Sequence, residues 1–167
     1  MQMNSSKLND WLSLIANVAV VGGIVFLAIE IRQNNELLRS ESRQTLVAND
    51  LVSLTANIEN AEVFTKFALG AELSAAEQMS ISFMFAIDLR NREFEYLQYK
   101  NGLLDEETWL SYRQVLLVNH STGPGLAWWD TVGRGFVAPE FAASIDELLA
   151  SARPDDTYKR MTSWANQ

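Results

Sequence analysis

At 167 residues, 48% hydrophobic and 20% charged, the chain can hold one compact domain plus an appendage and is too apolar for wholesale disorder. A net charge of −8 with no run of Lys or Arg argues against a phosphate-backbone binder and against a polybasic lipid patch, so no nucleic acid partner is expected. With no cysteine and a single histidine, His120, the chain has no disulfide, no thiolate metal site and no site built on two imidazoles.

The first element is the most distinctive. From Trp11 to Ile29 the chain reads WLSLIANVAVVGGIVFLAI, without a charge and with only Ser13 and Asn17 as polar side chains. As a helix this run spans roughly 28 Å, close to the hydrocarbon thickness of a bilayer. Asn9 or Asp10 suits the N-cap, Trp11 suits a membrane interface, and Glu30 and Arg32 end the run. A transmembrane helix is therefore expected over 11–29. A signal peptide, a buried core helix and an interfacial helix compete with it; the length and the lack of a small-x-small cleavage pattern argue against the first and the lack of a charged face against the third, while Val- and Gly-rich segments also suit a helix buried in a soluble oligomer. Ala19 and Gly23 form a small-xxx-small pair, with Ala16 and Gly22 beside them and Asn17 able to hydrogen-bond, so this face is a candidate helix–helix contact. Arg32, Arg39 and Arg43 outnumber Lys7 and the terminal amine across the span, which favours a cytoplasmic C-terminal domain.

The rest reads as helix. Residues 30–58 contain no Pro or Gly; Arg32, Glu36, Arg39 and Arg43 support the first half through ion pairs, and Val47, Leu51, Leu54 and Ile58 form an apolar face in the second. Asn57 and Asn60 predict a break before a short helix that carries Phe64 and Phe67 and ends at Gly70. Ser74 to Glu77 is a capping-box pattern opening a helix to Asn101-Gly102, with Met79, Phe83, Ala86, Phe94 and Leu97 as its apolar face. Arg90 intrudes on that face, either paired with Glu93 or with its head in water. Asp105 caps the next helix, flanked by a Leu104–Trp109 staple and ending at Asn119-His120. A loop, STGPG, precedes a short helix with Trp128 and Trp129; Pro139 opens a last helix with Phe141, Ile145, Leu148 and Leu149 on one face. Arg153-Pro154 stops it, and the tail packs through Trp164 or stays loose. No stretch alternates with a period of two, so the fold class is all-α: one N-terminal transmembrane helix followed by a small helical bundle. The organisation is an N-terminal flank over 1–10, the transmembrane helix over 11–29, a helical domain over 30–152 and a tail over 153–167.

Catalytic patterns are absent from the sequence. No Glu-x-x-His pair exists, and Glu93 and Glu95 diverge around their helix; Asp105, Glu106 and Glu107 read as first-turn acids favoured by the helix dipole. There is no nucleophile elbow and no phosphate-binding glycine loop, and His120 reads as a cap on its helix's last carbonyls. No metal, cofactor or catalytic residue is assigned. The aromatic cluster around Trp128 and Trp129 is a possible partner surface, a membrane-facing group or, in the plainer reading, part of the core.

The stretch WLSLIANVAVVGGIVFLAIEIRQNNELLR resembles a group of uncharacterised bacterial proteins of similar size, with an apolar N-terminal helix ending in Glu-Ile-Arg-Gln-Asn, here Glu30 to Asn34. The resemblance extends through Gly102 to Trp109 and the Trp128 to Phe141 region. It implies a bacterial membrane protein and carries no catalytic residue; with the single uncharged run over 11–29, the expected location is the bacterial inner (cytoplasmic) membrane, crossed once. The expected function is a non-enzymatic, membrane-anchored protein whose partners are the lipid bilayer and either a protein or further copies of itself. An accessory subunit of a larger inner-membrane complex is the alternative, and an enzyme of unknown reaction comes third.

Overall fold

The computed structural model describes residues 5–153 and 157–166, all in helices or short connections with no strand among them. Pro154, at the expected stop of the last bundle helix, lies outside the described residues, as do parts of the N-terminal flank and tail. The chain divides into two compact units, Met1–Glu41 and Ser42–Gln167.

In the first unit every described residue belongs to α1, which runs from Ser5 to Glu59 and continues into the second. Asn9 and Asp10 are therefore inside the helix and cap nothing; with no helix-breaking residue before Trp11, α1 extends upstream through them. It is the one helix among the described residues long and apolar enough to cross a membrane, by length and composition. Arg32 donates to Glu36 at 3.1 Å, the ion pair expected from their spacing.

In the second unit, α1 supplies residues 42–59, followed by α2 (Ala61–Ala68), α3 (Ala75–Lys100), α4 (Glu106–His120), α5 (Gly123–Thr131), α6 (Pro139–Ala150) and α7 (Thr157–Ser163). The local signals for most boundaries hold. The chain breaks at Asn60, with Asn57 still inside α1. Gly70 and Gly102 adopt φ of 68° and 71°, and the residue after each donates back into the helix, Ala71 to Lys66 and Leu103 to Gln98. Ser74 and Glu77 close a full capping box, Asp105 accepts from the Thr108 amide at 2.8 Å, and Pro139 stands in the first turn of α6. The STGPG connection is shorter than expected. Thr122 caps α5, accepting from the Gly125 amide at 3.1 Å, so the helix already begins at Gly123.

The core is built from Phe85 and Leu89 of α3, Trp109 and Leu116 of α4, Trp128 and Trp129 of α5, and Phe141 and Ile145 of α6. The expected face of α3 is corrected. Met79, Phe83 and Leu97 are exposed, Phe94 is half-buried, and only Ala86 of that set is buried. Ile81, Met84, Phe85 and Leu89 form a second stripe at helical spacing, and it is this stripe that meets α4 and α5.

The face of α1 is also reversed from expectation. Val47, Leu51, Leu54 and Ile58 are 57%, 57%, 55% and 74% exposed, while Ser42, Leu46 and Ser53 are buried. The polar residues turn inward because each finds a partner on α3. Ser42 donates to Gln98 at 3.1 Å, and Asn91 donates to the Asn49 carbonyl at 3.0 Å and to Ser53 at 2.8 Å. Fully satisfied polar contacts of this kind remove the cost of burying those groups. Of the tail, Tyr158 does the packing: it lies edge-on to Phe64 and Phe67 and donates to Asn119, leaving Trp164 exposed.

A close approach fixes the α4–α5 corner. A Cβ on Gly125 would stand 2.1 Å from the Asn119 carbonyl oxygen, whereas one on Gly135 meets nothing within 4 Å. Gly125→Ala is expected to destabilise the bundle by about 1–3 kcal/mol, as overpacking against fixed backbone does. Gly135→Ala should lie within about 0.5 kcal/mol of the parent. Chemical denaturation of both variants, side by side under the same conditions, checks the contrast.

Candidate functional site

The densest chemistry in the second unit is a buried polar cluster on α3. Arg92 is 2% exposed, a charge that burial makes costly unless it is paired. Its guanidinium faces three carboxyl groups. Nη2 donates to Asp50 of α1 and lies 3.1 Å from Glu95, and Nε lies 3.7 Å from Asp88. The same guanidinium sits over the Tyr112 ring of α4 at 5.0 Å. Asp88 also accepts from Asn119 at 2.7 Å, and Asn119 accepts from Tyr158, so one chain of contacts links α1, α3, α4 and α7.

One cation among three carboxyl groups leaves an electrostatic surplus. Glu95 is 1% exposed, and its contact to Arg92 is too poorly aligned to be a hydrogen bond. Desolvation pushes its carboxyl up to about 8; Arg92 opposes this, and Asp50 and Asp88 reinforce it. Desolvation likewise raises Asp88 above its ordinary range, against the pull of Arg92 and the Asn119 hydrogen bond. Burial thus favours the protonated, uncharged form of Glu95. Among the described residues no group of three or more His, Cys, Asp or Glu is placed to bind a metal ion. The guanidinium itself fills the space between the carboxyl groups.

His120 is a second buried titratable group. Although it ends α4, it does not cap it: the Leu117 carbonyl is taken by the Ser121 amide at 3.0 Å and by its hydroxyl at 2.6 Å. The imidazole instead stacks on Trp128 at 5.5 Å and meets Phe85 edge-on at 5.3 Å, and neither ring nitrogen has a hydrogen-bond partner among the described residues. Burial alone pushes it down to about 4, so it is neutral at pH 7.

The residues singled out in the sequence fall elsewhere. Trp11, Ala16, Asn17, Ala19, Gly22 and Gly23 lie on α1 in the first unit, all exposed, and a Cβ on Gly22 or Gly23 meets nothing within 4 Å. Trp128 and Trp129 are corrected as a partner surface. They are 9% and 1% exposed, because α5 turns both indoles into the bundle, with Trp129 donating to Asp146 at 2.8 Å. Arg90 does reach Glu93, at 2.5 Å, with its head largely in water. The buried arginine is its neighbour, Arg92, which no spacing rule had marked. Asp50, Asp88 and Glu95 were missed too: Asp88 and Glu95 stand at the helix spacings that solvated pairs share, and Asp50 comes from a different helix.

A hollow of about 380 Å³ lies between α3, α4 and α6, lined by Tyr96, Tyr99, Trp109, Arg113 and Glu147 among others. Its mixed lining, with both charges present, selects no ligand class. No family model, curated protein or solved structure matches the chain.

Two pH profiles follow. Unfolded, Glu95 ionises near its ordinary 4.5, while folded it keeps its proton to about 8, so stability falls steadily as pH rises between these values. Glu95→Gln should remove that slope and gain on the order of a few kcal/mol over the parent by pH 8. His120 acts in the opposite direction: the unfolded chain takes up its proton below 6.5 and the folded one only near 4, so stability is lost as pH falls through that window. His120→Phe should flatten the acid limb. Denaturation midpoints measured at intervals from pH 4 to 9 check both.

Proposed function

We propose that this chain is a single-pass, membrane-anchored helical protein of the bacterial inner (cytoplasmic) membrane, whose bundle lies on the cytoplasmic side and binds a protein partner or further copies of itself. The observation that carries the reading is the surface of α1 between Trp11 and Ile29. Its large apolar side chains, from Trp11 and Leu12 to Leu27 and Ile29, are exposed on all faces of the helix, with no charged group among them. Water disfavours such a surface, and a bilayer covers it without any protein partner. The alternative of a cleaved signal peptide is disfavoured because the helix runs on past Ile29 to Glu59 without a break.

The non-enzymatic part of the proposal rests on chemistry. Arg92 is occupied by the carboxyl groups around it and His120 by aromatic packing, and the sequence carries no nucleophile elbow. The accessory-subunit reading is supported by the small residues Ala19, Gly22 and Gly23, which let a neighbouring membrane helix approach closely.

Membrane fractionation tests the anchor. The full chain should stay in the pellet after an alkaline carbonate wash and enter solution only with detergent; release by carbonate alone would remove the proposal. The absence of native cysteines allows orientation to be read by impermeant maleimide in spheroplasts. Lys7→Cys should label in intact spheroplasts, and Glu72→Cys only after lysis.

A further inference from the structure

Seven basic side chains lie between Ser42 and Ala150. Arg43, Lys66, Arg90, Arg92, Lys100 and Arg134 each pair with a carboxylate. Arg113 does not. It is half-buried on α4, has no carboxylate within 4.0 Å among the described residues, and its Nε is shut off from water without an acceptor. A guanidinium held that way lacks a contact that an incoming carboxylate supplies.

Arg113 lines the hollow of about 380 Å³ between α3, α4 and α6. Trp109 and Arg113 stand four positions apart on α4 and so share a face; Ser144 and Glu147 do the same on α6 at a spacing of three. Both faces line the hollow, and Tyr99 of α3 joins them with its ring stacked on Trp109 at 6.1 Å and 15°. Glu147 is exposed and, like Arg113, has no ion pair among the described residues.

As an inventory the lining favours no ligand; which of its charges are already paired is a sharper guide. A simple anion drawn to Arg113 meets Glu147 and the field of a chain with net charge −8. A simple cation drawn to Glu147 meets Arg113. A ligand that carries both charges avoids either penalty, and the rings of Tyr99 and Trp109 offer a flat apolar body a stacking surface.

We propose that this hollow binds a free aromatic α-amino acid, its carboxylate on Arg113, its ammonium on Glu147 and its ring against Tyr99 and Trp109. Nε and a terminal nitrogen of a guanidinium are the parallel donors that a carboxylate accepts, and Nε is the one the fold leaves without a partner. Glu106, the other acid of the lining, stands seven positions before Arg113 on the same helix, roughly 10 Å along its axis. It also lies in the first turn of α4, where the helix dipole favours its charge. The volume falls at the small end of the range of ligand sites, about 300–1,000 Å³, which suits a single ring and its backbone. The hollow lies wholly within the second unit, so the inference is independent of the membrane anchor.

Calorimetric titration of the purified full chain with L-phenylalanine tests this, beside 3-phenylpropionate, which lacks the ammonium, and phenethylamine, which lacks the carboxylate. L-Phenylalanine should bind at least roughly tenfold more tightly than either analogue, the worth of one charge-assisted contact. Arg113→Gln should weaken L-phenylalanine and 3-phenylpropionate by a similar factor and leave phenethylamine unchanged or tighter. Glu147→Gln should weaken L-phenylalanine and phenethylamine but not 3-phenylpropionate. The exposed, unpaired position of Glu147 keeps the bundle intact on substitution, so this variant decides the matter even where Arg113→Gln unfolds. A change that merely disturbed the fold would weaken all three ligands alike. No saturable heat with L-phenylalanine up to about 10 mM, equal affinity for the three ligands, or uniform loss across them in the Glu147 variant would each overturn the proposal.

Discussion

The second unit depends on one buried guanidinium. Arg92 must have counter-ions once it is removed from water, and the carboxyl groups that provide them are Asp50 of α1 and Asp88 of its own helix. Meeting that requirement draws Asp50 inward, and with it the rest of α1's polar side, Ser42, Asn49 and Ser53. The apolar side of the same helix is then left outward. Burial of an ion and exposure of a leucine stripe are two consequences of one contact. Turning α1 over would leave Arg92 buried without Asp50 and would unpair Ser53 and Asn91 as well, and these contacts together hold the polar face inward.

Local signals in the sequence were read well, and helix faces less so. Capping residues act within a turn of their own position, so Ser74–Glu77, Asp105, Pro139, Gly70 and Gly102 were legible without any tertiary knowledge. The faces of α1 and α3 were not. On α3, Ile81–Met84–Phe85 and Met79–Phe83 are both apolar at helical spacing, and only the neighbours decide between them. On α1 the apolar stripe was visible, but its direction was set by Arg92, on an element some forty residues away. The His120 environment was illegible for the same reason. A helix-terminal histidine ordinarily caps, and here the indole of Trp128, brought round by the short Thr122-capped corner, takes it into the core.

The candidate site divides likewise. The run from Trp11 to Ile29 could be found by counting, because length and the absence of charge are properties of the sequence itself. The cluster of Asp50, Asp88, Arg92 and Glu95 could not, since a carboxylate in a sequence looks the same whether solvated or buried. Two apolar surfaces on α1 then remain for function: the uncharged run over 11–29 and the heptad stripe from Val47 to Ile58.

The central claim is that the Asp50–Arg92 pair fastens α1 to the bundle. A double-mutant cycle measures it directly, with Asp50→Ala, Arg92→Met and the double variant compared by chemical denaturation in one detergent. The account predicts a coupling energy on the order of 2 kcal/mol, with the second substitution costing much less once the first is made. Strictly additive losses, with no coupling between the two positions, would contradict it.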